Sequence, residues 1–296
     1  MQRHLQIAGL VLTLESDGLP WDFPPGSSHP LFEVAQCIED VHIKVHWAPY
    51  AAADLGEEVF SIYGSSSSLL PPARLYRNSQ GFWGLEANDP YYDVFRQRIA
   101  IFDPGFRRGD LYVELRKRDL AVYPNPFGPP LDRLLFANLM TQRAGMLLHA
   151  CGVVCDGRAH VFAGPPGAGK TTLARLWSMI DGVTVLGEEC VALRKRDSHF
   201  WAYGTPWIGE SRSFSPLSAP LAGIYFIDHA RENRLEQVPA ERAVEKLLAR
   251  SFLVFYDLAA AGQGLEVSLN LVTETPVYDL GFVPDLNVVE LIRSLP

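Results

Sequence analysis

Residues His160–Trp177 read HVFAGPPGAGKTTLARLW, and within them Gly164, Pro165, Pro166, Gly167, Ala168, Gly169, Lys170 and Thr171 fit the pattern G-x-x-x-x-G-K-[ST]. The chemistry this pattern serves is the holding of a polyphosphate. Gly164, Gly167 and Gly169 permit backbone angles that side chains resist, and they let amide N–H groups close on phosphate oxygens. A helix starting at Lys170 adds its unsatisfied amides and the positive end of its dipole. Lys170 brings a full charge for the β- and γ-phosphates, and Thr171 offers a hydroxyl to Mg²⁺. Thr172 belongs to the same nucleotide-contacting stretch, although a threonine there also reads as an ordinary helix N-terminal residue. ATP or GTP with Mg²⁺ is the expected cofactor.

Glu188 comes eighteen residues after Lys170, within VLGEECVALR, where it and Glu189 stand at the end of a β-branched run. Such a strand end lies beside a phosphate loop in α/β sheets. Two adjacent carboxylates can divide labour. One holds the metal; the other, its proton affinity raised by its neighbour, takes a proton from an attacking hydroxyl. The loop does not name the reaction. An LSGGQ-like signature, a D-x-x-G with N-K-x-D in suitable context, and a compact Arg-rich lid are all missing, which argues against ABC-type ATPases, small GTPases and most metabolite kinases.

These residues need a strand, a turn and a helix to position them. HVFA before the loop and LARLW after it supply the strand and the helix. Ahead of them, MLLHACGVV and AHVFAG read as two strands joined by the CDGR turn. CVALR and HFWAY read as a hairpin, AGIYFIDH as a buried strand, and PAERAVEKLLARSFLVF as a helix opened by Pro239. PVYDLGFVPDLNVVELIRSL gives a strand and a short helix. His149 sits mid-run among apolar residues and reads as a core histidine. Trp207 reads as hairpin packing, and Asp228 as a strand-end cap.

The chain has 296 residues, room for about two domains at roughly 100–200 residues each. Turn-rich breaks separate strand-like runs up to residue 120, with helical text beginning past Pro130. The expected division is a β-rich docking domain, 1–120, and a nucleotide-binding kinase-like domain, 121–296. The fold class is a mixed α/β. In the first part, His42 and His46 alternate with Val41, Ile43 and Val45 and read as strand-face residues. Ser65–Ser68 reads as a loop tip. A net charge of −8 argues against a nucleic-acid or anionic-lipid surface. No run of eighteen apolar residues is present, so no membrane partner is expected and a cytoplasmic location follows. The four cysteines, Cys37, Cys151, Cys155 and Cys190, lack C-x-x-C spacing and read as small buried residues.

In combination, LLHACGVVCDGRAHVFAGPPGAGKTTLARL, VLGEECVALR and YGTPWIGE resemble the HPr kinase/phosphorylase group, which shares its core with phosphoenolpyruvate carboxykinase. The resemblance spans about residues 145–295. It implies a P-loop-containing HPr kinase-like core that uses Mg²⁺ to phosphorylate a serine hydroxyl on a protein or peptide, and it permits a homo-oligomer. It matches Lys170 and Thr171 to the loop's lysine and hydroxyl, and His149 to a histidine near the phosphates. Glu188 and Glu189 stand where the group has two aspartates, here with Glu188 as base and Glu189 on the metal. Glu210 matches a later metal-binding glutamate. Glutamate for aspartate moves each carboxylate outward by about 1.5 Å. The group's later glycine-rich signature is absent, so HPr itself is not the expected acceptor. The alternative is a nucleotide-binding regulatory or scaffold protein that has lost the reaction.

Overall fold

The structure is a computed structural model, and it describes all residues except 36, 52–54, 63–71, 88–92, 210–211 and 296. Ser65–Ser68 and Glu210 therefore lie outside the described residues. The chain divides into two compact units, Met1–Asn138 and Leu139–Pro296. Residues 121–138, read from sequence with the nucleotide-binding part, fall in the first of these units.

Unit one contains β1 (Gln2–Ile7), β2 (Leu10–Ser16), β3 (Trp21–Asp22), β4 (Val41–His46), β5 (Glu57–Ile62), β6 (Ala73–Arg77), β7 (Trp83–Ala87), β8 (Phe95–Phe102), β9 (Arg108–Leu115) and β10 (Tyr123–Pro124). Eight of them form one mixed sheet in the order β1-β2-β4-β9-β8-β7-β6-β5. Strand β4 shows why. Val41, Ile43 and Val45 are buried while His42, Lys44 and His46 alternate outward, the period of a half-covered strand. The outward histidines meet carboxylates, His42 Nε2 with Glu15 at 3.0 Å and His46 Nε2 with Asp110 at 2.6 Å. Both are strand-face residues. Buried Arg98 donates to the carbonyls of Pro126, Gly128 and Pro129 at 3.1, 3.2 and 2.7 Å. It thereby fixes the chain that leads into helix α1 (Leu131–Gln142).

Unit two is built on a sheet with helices on both faces. Its strands are β11 (Gly145–Leu148), β12 (Ala150–Cys155), β13 (Arg158–Ala163), β14 (Thr184–Gly187), β15 (Val191–Arg196), β16 (His199–Tyr203), β17 (Ser218–His229), β18 (Arg234–Gln237) and β19 (Val277–Phe282). Strand β17 joins two sheet regions. Its first residues pair with β16, which continues to β15 and β11. Its remainder runs parallel to β13 on one side and β19 on the other. Beyond β13 lie β12 and then β14, each antiparallel to its neighbour, so β14 runs in the same direction as β13. The carboxyl ends of β13, β14, β17 and β19 thus share one edge.

The alternation along the central strands assigns their faces. Ala159, Val161, Ala163, Ile224 and Phe226 pack with Ala243 and Leu247 of α3 (Ala240–Leu248) and Val267 and Leu271 of α4 (Leu258–Glu274). Phe162, Tyr225 and Ile227 face the other way, onto Leu173 and Trp177 of α2 (Lys170–Ser178) and Val288 and Ile292 of α5 (Asn287–Arg293). The turn between β12 and β13 has positive φ at Asp156 (51°) and Gly157 (73°), the pairing a two-residue hairpin needs. Helix α4 was not read from the sequence. Its start is capped by the Asp257 carboxylate, which accepts from the Ala260 amide at 2.8 Å.

Candidate functional site

The glycine-rich segment leaves the end of β13 and enters α2 directly. At Gly164 a Cβ would stand 2.7 Å from Ile227 Cγ1 and 2.9 Å from Ala168 Cβ, so only glycine lets the loop turn this close to β17. Gly169 has φ 101° and precedes the helix; a Cβ there would meet the Phe282 ring at 2.6 Å. The Ala168 amide donates to Pro165 O at 3.1 Å, closing the turn. Helix geometry leaves the first amides of α2, at Lys170, Thr171 and Thr172, without carbonyls to donate to. Pro166 and Gly167 form the tip, and Gly167, at φ 82°, has open space around its α-carbon.

Lys170 folds back onto this loop. Its Nζ donates to Gly164 O at 2.9 Å and Pro165 O at 3.2 Å. Burial lowers its pKa; Glu189 and Cys151 push it up, and the Arg250 charge pushes it down. His229, at the end of β17, also secures the loop: its Nε2 donates to Gly167 O at 2.9 Å, and its ring stacks on Phe282.

The acidic pair follows β14 at the same edge. Glu188 is 3% exposed, and among the described residues neither carboxylate oxygen has a hydrogen-bond partner. Glu189 Oε1 is likewise buried without a hydrogen bond among the described residues. Cys151, opening β12, lies within electrostatic reach of both sides of the site. Burial pushes its thiol pKa up, Glu188 adds to this, and Lys170 opposes it. The turn is held by its neighbours. Thr205 Oγ1 donates to Cys190 O at 2.7 Å, and an added Cβ on Gly209 would lie 3.5 Å from the Cβ atoms of both glutamates. The chain therefore passes over the acidic pair one residue before Glu210.

His149 is not in the middle of a strand. It occupies the step between β11 and β12, where its amide donates to Arg250 O at 2.8 Å. Its Nδ1 donates to the Glu189 carbonyl at 2.8 Å, with a Glu189 carboxylate oxygen 3.5 Å away. A carbonyl can only accept, so Nδ1 carries a proton. Position and partner thus tie His149 to the acidic turn.

On the other side of the loop, a cavity of about 280 Å³ opens along the ends of β17 and β19. Gly164, Pro165, Asp228, Lys246, Arg250 and Asp279 are among its lining residues. Asp228 accepts from the His229 amide at 2.8 Å, the strand-end cap expected of it, and also faces this cavity. Trp207 is 3% exposed and packs as expected. Cys151, Cys155 and Cys190 are buried free thiols, whereas Cys37 is exposed, against the sequence reading. His229 and Arg250 are not marked by the sequence, since no spacing rule links either to the loop; β17 brings in the first and the end of α3 the second. No three His, Cys, Asp or Glu side chains among the described residues form a metal cage. No helix among them is long and apolar enough to cross a membrane.

No protein-family model matches the chain. No curated protein matches it in sequence. Among solved structures, the Hpr(Ser) kinase/phosphatase from Coxiella burnetii is similar over 50% of this chain and 87% of its own, at 11% identity and a TM-score of 0.27. At that level of likeness the function has to be argued from the site's own residues.

Proposed function

We propose that the second unit binds Mg-ATP or Mg-GTP on Gly164–Thr172 and transfers the γ-phosphate to a serine hydroxyl of a protein or peptide. The observation that carries this reading is Glu188. A carboxylate buried with both oxygens unbonded costs several kcal/mol of desolvation. A site retains such a group where it has a proton or a cation to meet, and this one lies at the strand edge that bears a phosphate loop. In this reading Glu188 accepts the proton of the acceptor hydroxyl. The acceptor oxygen forms its bond to the γ-phosphorus, and the bond from that phosphorus to the β–γ bridging oxygen breaks, its electron pair leaving with the nucleoside diphosphate. Lys170 leaves the loop carbonyls for the phosphates, and the α2 amides hold the β-phosphate. His149 orients Glu189 through its carbonyl.

Thr171, Glu189 and Glu210 would hold Mg²⁺. The donor set fits: an oxygen-seeking ion that keeps several waters is held through one or two carboxylates, and Glu189 supplies a buried oxygen without a hydrogen bond among the described residues. The ion would neutralise charge on the β- and γ-phosphates.

The test is calorimetric titration of Mg-ATP and Mg-GTP into the wild type and Lys170→Ala, followed by transfer of labelled γ-phosphate into a cell lysate. Wild-type binding that Lys170→Ala weakens, with a labelled acceptor, supports the reading. Absence of binding by folded wild type overturns it. Tight binding with no acceptor labelled makes the chain a nucleotide-responsive binding protein.

A further inference from the structure

We infer that Arg250 is the residue that distinguishes a nucleoside triphosphate from a diphosphate, by binding the terminal phosphate from the cavity side of the loop. The inference rests on the nucleotide reading above and adds a residue that neither the loop pattern nor the acidic pair contains.

Three observations converge on it. First, Arg250 lines the cavity that Gly164, Pro165 and Asp228 also line, which places the residue beside the loop. Second, its backbone is anchored. Its amide donates to Leu247 O at 3.0 Å, its carbonyl accepts from the His149 amide at 2.8 Å, and the next residue, Ser251, bridges to Leu148. The side chain is thus presented from a fixed point at the β11–β12 step, where His149 also sits. Third, among the described residues the guanidinium pairs with no carboxylate and makes one hydrogen bond. Its Nε is buried without a hydrogen-bond partner, and its one hydrogen bond is a 3.4 Å contact from Nη1 to Ala249 O. Lys246, one helical turn earlier in the same cavity, is by contrast committed to Asp279.

A buried, unbonded guanidinium nitrogen is costly. Here it also lies close enough to Lys170 for the two positive charges to oppose each other. Two converging cations, one parked on its own loop and one unpaired, are matched by a multiply charged oxyanion. The loop amides and Lys170 account for the β-phosphate side. A planar fork from the cavity side suits the oxygens of the phosphate beyond it.

The experiment is calorimetry on the full chain with Mg-AMPPNP, a non-hydrolysable triphosphate, and with Mg-ADP. The variants are Arg250→Met, which keeps the stem, and Arg250→Lys, which keeps the charge without the fork. Circular dichroism checks their folding. Losing one charge-assisted contact is expected to weaken Mg-AMPPNP by about 10- to 100-fold and Mg-ADP by less than about threefold. Arg250→Lys should fall between. Equal losses for the two nucleotides, or no loss for Mg-AMPPNP, overturn the assignment and leave the nucleotide reading standing. If folded wild type binds neither nucleotide, both fall together. Should Arg250→Met not fold, Arg250→Lys decides alone, on whether its loss for Mg-AMPPNP exceeds its loss for Mg-ADP.

Discussion

Glu188 concentrates the argument at the scale of single residues, because its burial and its two unbonded oxygens make no sense as a surface turn. Glu188→Gln keeps the size and removes the basicity. It should leave nucleotide affinity within about twofold and slow phosphoryl transfer by about 10²–10⁴-fold, the usual worth of a positioned base. The same change removes a buried negative charge, so its melting temperature should equal or exceed the wild-type value. Activity and stability moving in opposite directions would separate a catalytic group from a packing group; a loss of both would mean that the carboxylate is structural. Glu188→Asp tests reach. It keeps the charge and withdraws the oxygens by about 1.5 Å, which near-attack geometry tolerates poorly, so transfer should fall although an acid is still present.

At the scale of elements, the loop and the helix after it depend on where the neighbouring strands end. Gly167 and Gly169 both have positive φ, yet their surroundings differ. A methyl group at 167 enters open space, while one at 169 meets Phe282 at 2.6 Å. Gly167→Ala should cost about 1 kcal/mol from backbone strain alone, and Gly169→Ala should add overpacking of about 1–3 kcal/mol, measured by urea unfolding. Equal costs would show that the Phe282 contact yields freely. Behind the loop, His160 stacks on Trp177 and shares a 3.1 Å hydrogen bond with Tyr225. Burial, with Arg158 adding to it, lowers its pKa from 6.5 to about 4. A lowered histidine pKa means that the unfolded chain takes up a proton in this window and the folded chain does not. Stability therefore falls as pH drops from 6.5 to about 4, by at most ~3 kcal/mol, and this group contributes no further loss below that. His160→Asn, which cannot protonate, should flatten that limb of the stability–pH curve; an unchanged slope would assign the acid sensitivity elsewhere. Much at this scale was legible in the sequence. The loop, the hairpins β12–β13 and β15–β16, strand β17 and helix α3 carry local signals: turn residues, alternation, a proline at a helix start. Helix α4 was not legible, because Gly262 and Gly264 interrupt its pattern and packing on α3 supplies what propensity lacks. Nor was the approach of His229 and Arg250 to the loop, which follows from how distant elements pack, a non-local property. His149 was legible as a residue but not as the hinge between two strands.

For the whole molecule, the division into two units poses the question of what the first unit does. Among its described residues, His42 and His46 meet carboxylates, His4 meets the Thr13 hydroxyl, and the most buried cation, Arg98, donates to backbone carbonyls. All the groups argued for here, Lys170, Thr171, Glu188, Glu189, His149 and Arg250, lie in the second unit. Helix α1 spans residues 131–142, so a cut at the division after Asn138 would break it, whereas a fragment of residues 121–296 keeps it whole. If the nucleotide site is complete in the second unit, that fragment should bind Mg-AMPPNP within about threefold of the full chain, since no loop or side chain of the site is removed. If the first unit docks the acceptor, the same fragment should lose labelling of that acceptor while retaining nucleotide affinity. The two measurements separate the cases. Retained binding with lost transfer assigns recognition to residues 1–120. Full transfer by the fragment would place acceptor recognition in the second unit.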